Sequence, residues 1–158
     1  MIEIVEGELP IAEVVRAVEA AQGGAMGAVV TFVGTVRNHS VGHSIEYLEY
    51  SAYKPMAESE MRRIAGEVQE RWAIPCAMAH RVGRLRVGEA SIVVAVAAPH
   101  RKEAFIACHY AVDRVKESVP IWKKEVATDG FWWVEDPLSP AAKTEITNLQ
   151  VPASNAEG

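Results

Sequence analysis

Cationic side chains stand at the ends of predicted elements, where they could bind a small anion. Arg37 closes an apolar stretch that is predicted as a strand, and His100 and Arg101 lie between a predicted strand and the helix that follows. A helix N-terminus presents unpaired backbone N–H groups and a partial positive charge, so an adjacent His-Arg pair forms a natural anion site. The alternative is a solvated Arg101 without function, although a cation in a first helical turn is slightly unfavourable.

Lys116 and Lys123 form a second candidate pair, on either side of Pro120. Lys116 falls in the last turn of a predicted helix, where a cation suits the helix dipole. Lys123 falls in the following strand, so a turn at Pro120 could bring both ammonium groups toward one pocket. Burial moves the pKa of lysine readily, which suits lysine to covalent and proton-transfer chemistry. Two solvent-facing lysines are the alternative that the sequence alone leaves open.

Other histidines and both cysteines give weaker signals. His80 alternates with apolar residues and is predicted as a core histidine. His39 and His43 share a glycine-containing loop, but no cysteine or carboxylate completes a metal-binding spacing, so no metal is expected. Cys76 and Cys108 stand in apolar surroundings and are expected to be buried, reduced thiols.

Familiar catalytic motifs are missing from the sequence. It contains no GxSxG elbow, Walker loop or GxGxxG fingerprint, so serine hydrolase chemistry and the common modes of nucleotide binding get no support. Trp132 and Trp133 must point to opposite faces of one strand, so one is expected in the core and the other over an interface or pocket.

The elements that position these residues alternate between strands and helices. A nearly continuous apolar run over residues 28–36 predicts a buried strand, residues 38–44 are expected to form a loop, and residues 83–88 a hairpin connection. Asp129-Gly130 is a strong hairpin turn signal. Further strands are predicted over residues 2–5, 45–53, 76–82, 91–98, 121–126 and 131–135, and helices from Pro10, from Pro55 and from His100 to Ser118. Short connections favour antiparallel pairing, so the predicted class is α+β, with an antiparallel or mixed sheet and about three helices.

Length and charge set the outer limits of function. The 158 residues suit a single domain, predicted over residues 1–136, and residues 137–158 are expected to be an extended or partner-ordered tail. A net charge of −5 argues against nucleic acid or an anionic membrane as partner. The first residues lack the pattern of a secretory signal, so a cytoplasmic location is expected.

Several short blocks resemble the catalytic (large) subunit of molybdopterin synthase. They read FVGTVRN at residues 32–38, APHRKEAF at residues 98–105 and IWKKE at residues 121–125, with Lys116 ahead of the last. The pair His80-Arg81, with Val82-Gly83 after it, is similar to that family's middle hairpin. These blocks occur in family order across roughly residues 27–135.

The resemblance implies an α/β hammerhead fold and a sulfurtransferase. Such an enzyme transfers two sulfurs to cyclic pyranopterin monophosphate and so makes the dithiolene of molybdopterin, in molybdenum cofactor biosynthesis. The sulfur arrives as a thiocarboxylate on the C-terminal Gly-Gly of a small ubiquitin-like subunit, in a heterotetramer built on a central dimer of large subunits. No permanently bound cofactor is implied.

The resemblance also implies roles for individual residues. Lys116 and Lys123 would be catalytic, Lys116 meeting the donor carbonyl or moving protons and Lys123 neutralising charge on the partly sulfurated intermediate. The residues implied in substrate binding are Thr35, Val36, Arg37, His100, Arg101, Lys116, Lys123, Lys124 and Glu125. If a second copy contributes a basic residue from its C-terminal region, Lys143 is a weak candidate.

Two other functions remain open at this point. The cationic pocket could serve an enzyme that acts on another phosphorylated metabolite without a protein sulfur donor. It could also belong to a non-catalytic module that binds a phosphometabolite, in which case the lysines are ordinary surface charge.

Overall fold

The computed structural model describes residues 1–21 and 23–134. Its helices are α1 (Ile11–Ala20), α2 (Lys54–Trp72) and α3 (Arg101–Ser118). Its strands are β1 (Ile2–Val5), β2 (Ala28–Thr35), β3 (His39–Ser40), β4 (His43–Ala52), β5 (Cys76–Arg81), β6 (Gly83–Arg86), β7 (Ala90–Ala98), β8 (Ile121–Ala127) and β9 (Gly130–Val134). The predicted tail over 137–158, the end of the domain predicted over 1–136, the last residue of predicted strand 131–135 and Lys143 lie outside the described residues.

The first half of the fold is a four-stranded mixed sheet in the order β1-β5-β7-β2. β1 runs parallel to β5, whereas β7 is antiparallel to both β5 and β2. Helices α2 and α3 cover one face, with Met61 and Val112 in that core, and α1 covers the other face with Val14 and Val18. Because both faces are covered, every residue of β7 from Ser91 onward is buried.

The second half is a five-stranded antiparallel sheet around β4. The order is β3-β4-β8-β9. Strand β6 also pairs with β4, on the edge opposite to β8. A small core lies on its inner face, formed by Val36, Ile45, Leu48, Leu85 and Ala127. Val36 directly follows β2, so the chain passes from the first sheet into the core of the second at this residue.

The predicted α+β class, with a mixed sheet and three helices, is confirmed. The helices begin within one residue of the predicted starts, since Pro10 and His100 are the residues just before α1 and α3, and Pro55 is the second residue of α2. Ala73 ends α2 in a left-handed conformation, and its N–H donates to the carbonyl of Gln69. No helix in the described parts of the chain is long and apolar enough to span a membrane.

Residues 28–35 do form a strand, but the prediction that this strand is buried is wrong. β2 is an edge strand, and every second residue of it is exposed, with Val29 at 39% and Val33 at 38%. On one face of the first sheet, helix α1 packs against β5 and β7 but does not cover the exposed valines of the edge strand β2. A continuous apolar run is typical of a strand with two covered faces, and here the exposed valines leave one face without cover in a single copy.

Two segments predicted as loops contain strands. Residues 38–44 form a tight hairpin, because β3 pairs with the start of β4 around Val41-Gly42. Residues 83–88 do not simply connect β5 to β7, because β6 crosses into the second sheet and pairs with β4. Leu85 is fully buried there between exposed Arg84 and Arg86, which is the alternation of a half-buried strand.

Candidate active site

Lys116 lies in the last turn of α3, at the end of the helix that leads into the second sheet. Its side chain is exposed, and its Nζ lies 6.0 Å from the centre of the Phe32 ring on β2. The helix stops where Val119, whose N–H donates to the Val115 carbonyl, adopts an extended conformation. Pro120 follows and cannot continue the helix, so the chain turns directly into β8.

Lys123 stands three residues into β8, on the face of the second sheet that carries its core. Its Nζ lies 3.3 Å from Oε1 of Glu125, and only 31% of its side chain is exposed. Glu125 is 3% exposed, and its Oε2 accepts a hydrogen bond of 3.1 Å from the indole N–H of Trp132. Residues two apart on a strand share a face, which is why Lys123 and Glu125 meet.

Arg37 is exposed and follows a residue whose backbone is held on both sides. The Val36 N–H donates to the carbonyl of Glu89 at 2.9 Å, and the Val36 carbonyl accepts from the N–H of Gly88 at 2.8 Å. The Val36 side chain is buried and its N–H is already hydrogen-bonded, so only the second lone pair of its carbonyl is free for a ligand. Thr35 is exposed beside it. Val36 therefore contributes to the site by fixing the direction in which Arg37 leaves the sheet.

A β-bulge lies just before this point. Gly34 pairs with Ile92 and Thr35 pairs with Ala90, so Ser91 is an extra residue on β7. The Ser91 hydroxyl donates to the Gly34 carbonyl at 3.3 Å. A Cβ on Gly34 would lie 2.7 Å from Cγ2 of Ile92, which explains the glycine. Bulges of this kind re-aim the residues that follow, here the approach to Arg37.

The structure brings Arg37, Lys116 and Lys123 to the same end of the molecule. Lys116 lies over the outer part of β2, and β2 leads within a few residues to Arg37. Tyr50, the cross-strand neighbour of Lys123, packs edge-on against His80 at 5.2 Å. Burial raises the pKa of the Tyr50 hydroxyl, the Ser91 hydroxyl opposes this shift and Glu125 adds to it. Tyr50 thus joins the lysine-bearing sheet to the bulge that precedes Arg37.

His100 and Arg101 lie at the opposite end of α3. At about 1.5 Å of rise per residue, the Cα atoms of Arg101 and Lys116 are about 22 Å apart. Both His100 and Arg101 are exposed, and no side chain caps the helix, so its first N–H groups are available to an anion. One copy of the chain therefore holds two separate cationic regions, an arginine end at His100 and Arg101 and a lysine end at Arg37, Lys116 and Lys123.

The side chain of Lys124 does not join either region. It lies on the outer face of β8, where its Nζ is 3.2 Å from Glu49 and 4.5 Å from the centre of the Phe131 ring. Neighbouring residues on a strand point to opposite faces, so Lys124 faces away from Lys123 and Glu125. Of these three residues from the sequence-based site, only Lys124 is turned away.

No thiol near the site is prepared to act as a nucleophile. Burial raises the pKa of Cys76 to about 12 and that of Cys108 to about 11, so both thiols are protonated at neutral pH. The Nδ1 atom of His80 lies 2.9 Å from the Arg81 carbonyl, and burial lowers its pKa to about 4. The predictions of a buried Cys108 and a core histidine are confirmed, whereas Cys76 is only partly covered.

Sequence reasoning missed the residues that support the site. Trp132 was predicted only as a core or interface residue, and Tyr50 and Ser91 received no role near the cations. The spacing of Lys123 and Glu125 on a predicted strand was a usable signal, since it places both side chains on one face. The bulge at Ser91 and the pairing of Trp132 with Glu125 depend on strand register, which no local pattern specifies.

Comparison with known sequences gives consistent matches. A family model described as "MoaE protein" matches residues 4–118, a range that contains Arg37, His100, Arg101 and Lys116. The chain is 47% identical over 117 residues to the "Molybdopterin synthase catalytic subunit" of Bacillus subtilis (strain 168), with 73% of this chain and 74% of that protein covered. Lys123 lies beyond the range of the family match.

Two solved structures share the fold. The crystal structure of molybdopterin synthase from Staphylococcus aureus is similar with a TM-score of 0.78 and 41% identity, covering 85% of this chain and 96% of that one. The MoaE protein from Burkholderia ambifaria MC40-6 is similar with a TM-score of 0.71 and 35% identity, covering 91% and 95%.

Proposed function

The chain belongs to the MoaE family, and from this premise we propose how its residues carry out the sulfur transfer of a molybdopterin synthase catalytic subunit. The family places it among the sulfur-transferring enzymes of molybdenum cofactor biosynthesis. The substrate is cyclic pyranopterin monophosphate, and two sulfurs are added to it to form a dithiolene. The sulfur donor is the thiocarboxylate at the C-terminal Gly-Gly of a small ubiquitin-like partner.

The observation that carries this proposal is the lysine end of the molecule. Lys116 lies at the end of α3 near Phe32 of β2, Arg37 follows β2, and Lys123 follows the turn at Pro120, while the thiols of Cys76 and Cys108 are protonated. A substrate phosphate and a donor thiocarboxylate are both anions, which cations bind through charge-assisted hydrogen bonds. An enzyme whose reactive sulfur arrives on a partner needs no cysteine nucleophile of its own.

Each lysine has a distinct setting that fits a distinct role. Lys116 is exposed at the end of α3, where it can meet the donor carbonyl, stabilise the oxyanion that forms there and move protons. Lys123 is held by Glu125 and neutralises negative charge on the partly sulfurated intermediate. Arg37 and Thr35 complete the lysine end as substrate-binding residues.

A second copy of the chain completes the site. The Cα atoms of Arg101 and Lys116 lie about 22 Å apart within one copy, too far for both side chains to contact one phosphate group, so we propose that another copy supplies His100 and Arg101. The exposed valines on the edge strand β2 favour self-association, because an apolar edge strand is otherwise prone to unwanted pairing. This arrangement fits the central dimer of a heterotetramer, with one small partner at each outer end. The enzyme would work in the cytoplasm and without a permanently bound cofactor.

The direct test is single-turnover formation of molybdopterin. Wild-type chain, thiocarboxylated small partner and cyclic pyranopterin monophosphate are mixed, and product is followed with wild type, Lys116→Ala and Lys54→Ala. We expect Lys116→Ala to lose at least about a hundredfold in rate, because it removes an acid-base and oxyanion-stabilising group. Lys54, which pairs with Glu58 at the start of α2, is the matched control and should retain wild-type activity.

Two results would contradict the proposal. Full activity in Lys116→Ala would remove that residue from the reaction. No product from folded wild-type chain that binds its partner would favour the rival function, a domain that binds or converts another phosphometabolite. Turnover of such a metabolite without the protein sulfur donor would establish that rival.

A further inference from the structure

The carboxylate beneath Lys123 is buried and has a separate partner for each of its oxygens. Oε1 of Glu125 lies 3.3 Å from Lys123 Nζ, and Oε2 accepts from the Trp132 indole N–H at 3.1 Å. Glu125 is 3% exposed, so its carboxylate depends on these two protein partners for nearly all of its polar contacts. A buried charge that loses a hydrogen-bond partner is strongly unfavourable and tends to rearrange. The orientation of this carboxylate therefore depends on both contacts.

Strand register places Trp132 for this contact. Trp132 is the cross-strand neighbour of Glu125 in the β8/β9 ladder, and its ring packs against the small core of the second sheet. On the other side, the His43 ring lies 4.2 Å from the Trp132 ring, and His43 Nδ1 is 3.2 Å from Asp129. The indole is thus held by packing from two sides. Trp133, the next residue, is 62% exposed and points away.

We propose that Trp132 is a positioning residue for Lys123, acting through Glu125. The indole N–H fixes one carboxylate oxygen, which directs the other oxygen at the Lys123 ammonium and holds that ammonium toward the lysine end. The inference deepens the proposed function, because it assigns the support of one of its two lysines. It extends the site to a residue on β9 that touches neither substrate nor donor.

Trp132→Phe tests the proposal because phenylalanine keeps an aromatic ring and removes the N–H. In the single-turnover assay with saturating partner, we expect the maximal rate to fall about tenfold, which is the effect of one hydrogen bond to a charged group. The substrate concentration for half-maximal rate should stay within about twofold, since Arg37 and the arginine end are untouched. Trp133→Phe is the matched control and should change neither quantity.

A double-mutant cycle separates positioning from a general loss of structure. In a Lys123→Ala background, Trp132→Phe should have almost no further effect, because the group it positions is gone. Equal losses in both backgrounds would overturn the proposal, and so would a Trp132→Phe variant that behaves like Trp133→Phe. If wild type forms product and Trp132→Phe forms it at the same rate, the positioning role is wrong and the proposed function stands.

Hydrogen exchange of the two indole N–H groups tests the contact without any substitution. The Trp132 indole N–H should exchange at least about tenfold more slowly than that of Trp133, because it is hydrogen-bonded to a buried acceptor. Equally fast exchange would overturn the proposal. This measurement still tests the contact if Trp132→Phe does not fold or if wild-type chain makes no product, since it needs neither the variant nor the reaction.

Discussion

The two ends of α3 carry cations in contrasting settings. At the arginine end, His100 and Arg101 are exposed and no side chain caps the helix. At the lysine end, the chain turns through buried Val119 into β8, and Lys123 is held by a buried carboxylate. The arginine end presents free helix N–H donors and exposed charge, whereas at the lysine end a buried carboxylate holds one ammonium group in place.

The contrast indicates different tasks for the two regions. Free helix N–H groups with adjacent cations bind phosphate without demanding one geometry. A catalytic ammonium must be held near its productive position, and supporting hydrogen bonds provide that restraint. We therefore expect the arginine end to govern substrate affinity and the lysine end to govern the rate of sulfur transfer. Because the two regions are about 22 Å apart in one copy, they should act on one substrate across a dimer.

Complementation between two inactive variants tests most directly whether the arginine end of one copy and the lysine end of another serve one substrate. Lys116→Ala and Arg101→Ala are each expected to be nearly inactive at low substrate concentration. Mixed and allowed to exchange subunits, they should recover about a quarter of wild-type activity, since half of the dimers are mixed and each mixed dimer holds one intact site. Single-turnover rates of the separate and mixed variants measure this.

A mixture no more active than its components would mean that both regions serve a site in one copy, or that they serve different ligands. A covalently linked dimer carrying one substitution in each half removes the dependence on subunit exchange. It should reach half of the wild-type activity per dimer, because every molecule then contains one intact site.

The second prediction separates affinity from rate. Arg101→Ala should raise the substrate concentration for half-maximal rate by about tenfold to a hundredfold, the effect of one or two charge-assisted hydrogen bonds to phosphate. Its maximal rate should change little, whereas Lys123→Ala should lower mainly the maximal rate. Lys102→Ala, an exposed lysine on the same helical turn, is the control for net charge alone. An equal loss of affinity in Lys102→Ala would assign the effect to general charge.

The sequence indicates the candidate residues of both regions but not how they are arranged. Arg37, His100, Arg101, Lys116 and Lys123 could be chosen because their chemistry and the family blocks are local. Their division into two regions depends on the length of α3, which the helix predicted from His100 to Ser118 already implies. Lys124 and Lys123 were grouped together by their position in the block, although strand alternation turns them to opposite faces.

The features that the sequence did not reveal are those set by register and by neighbours distant in the chain. The apolar pattern of β2 is the same for a covered strand and for an edge strand with exposed valines, so burial could not be inferred from it. Residues 83–86 alternate as a strand because Leu85 is buried between exposed neighbours. That burial depends on the core of the second sheet, which other strands supply. The resemblance to the large subunit family is confirmed by the family match over residues 4–118, which contains the FVGTVRN and APHRKEAF blocks, and by the 47% identical relative.

Gly34→Ala tests whether the bulge supports the lysine end. The added Cβ would lie 2.7 Å from Ile92 Cγ2 and 3.4 Å from the Phe32 ring, so we expect about 1–3 kcal/mol of destabilisation and a Tm lower by about 3–10 °C. Gly66→Ala in α2 is the matched control, since its Cβ meets nothing within 4 Å. That variant should gain about 0.5–1 kcal/mol from helix propensity.

Calorimetry of both variants, with single-turnover rates on each, decides the role of the bulge. Gly34→Ala should also lose activity at temperatures where it is fully folded, because the approach to Arg37 is displaced. Full activity in folded Gly34→Ala would show that the bulge serves stability alone.

The smallest predicted effect lies between the two regions, where α2 and α3 are joined by an ionic cluster that should affect stability without touching the reaction. Glu67 accepts hydrogen bonds from Arg114 Nε at 3.0 Å and from the Tyr110 hydroxyl at 2.7 Å. Hydrogen bonding from Arg114 lowers the pKa of Glu67 from 4.5 to about 2, and Tyr110 adds to the shift. The pKa is lower in the folded state, so the stabilisation is complete above about pH 4.5 and is lost as the pH falls toward 2.

Glu67→Gln should therefore lower Tm by about 2–5 °C at pH 7, and the difference from wild type should disappear as the pH falls from 4.5 toward 2. Exposed Glu70→Gln on the same helix controls for the loss of one negative charge. Thermal unfolding of the three proteins across this pH range measures the stability, and turnover at pH 7 should be the same in all three. A slower reaction in folded Glu67→Gln would mean that the cluster also sets the position of α3, and with it the distance between the arginine end and the lysine end.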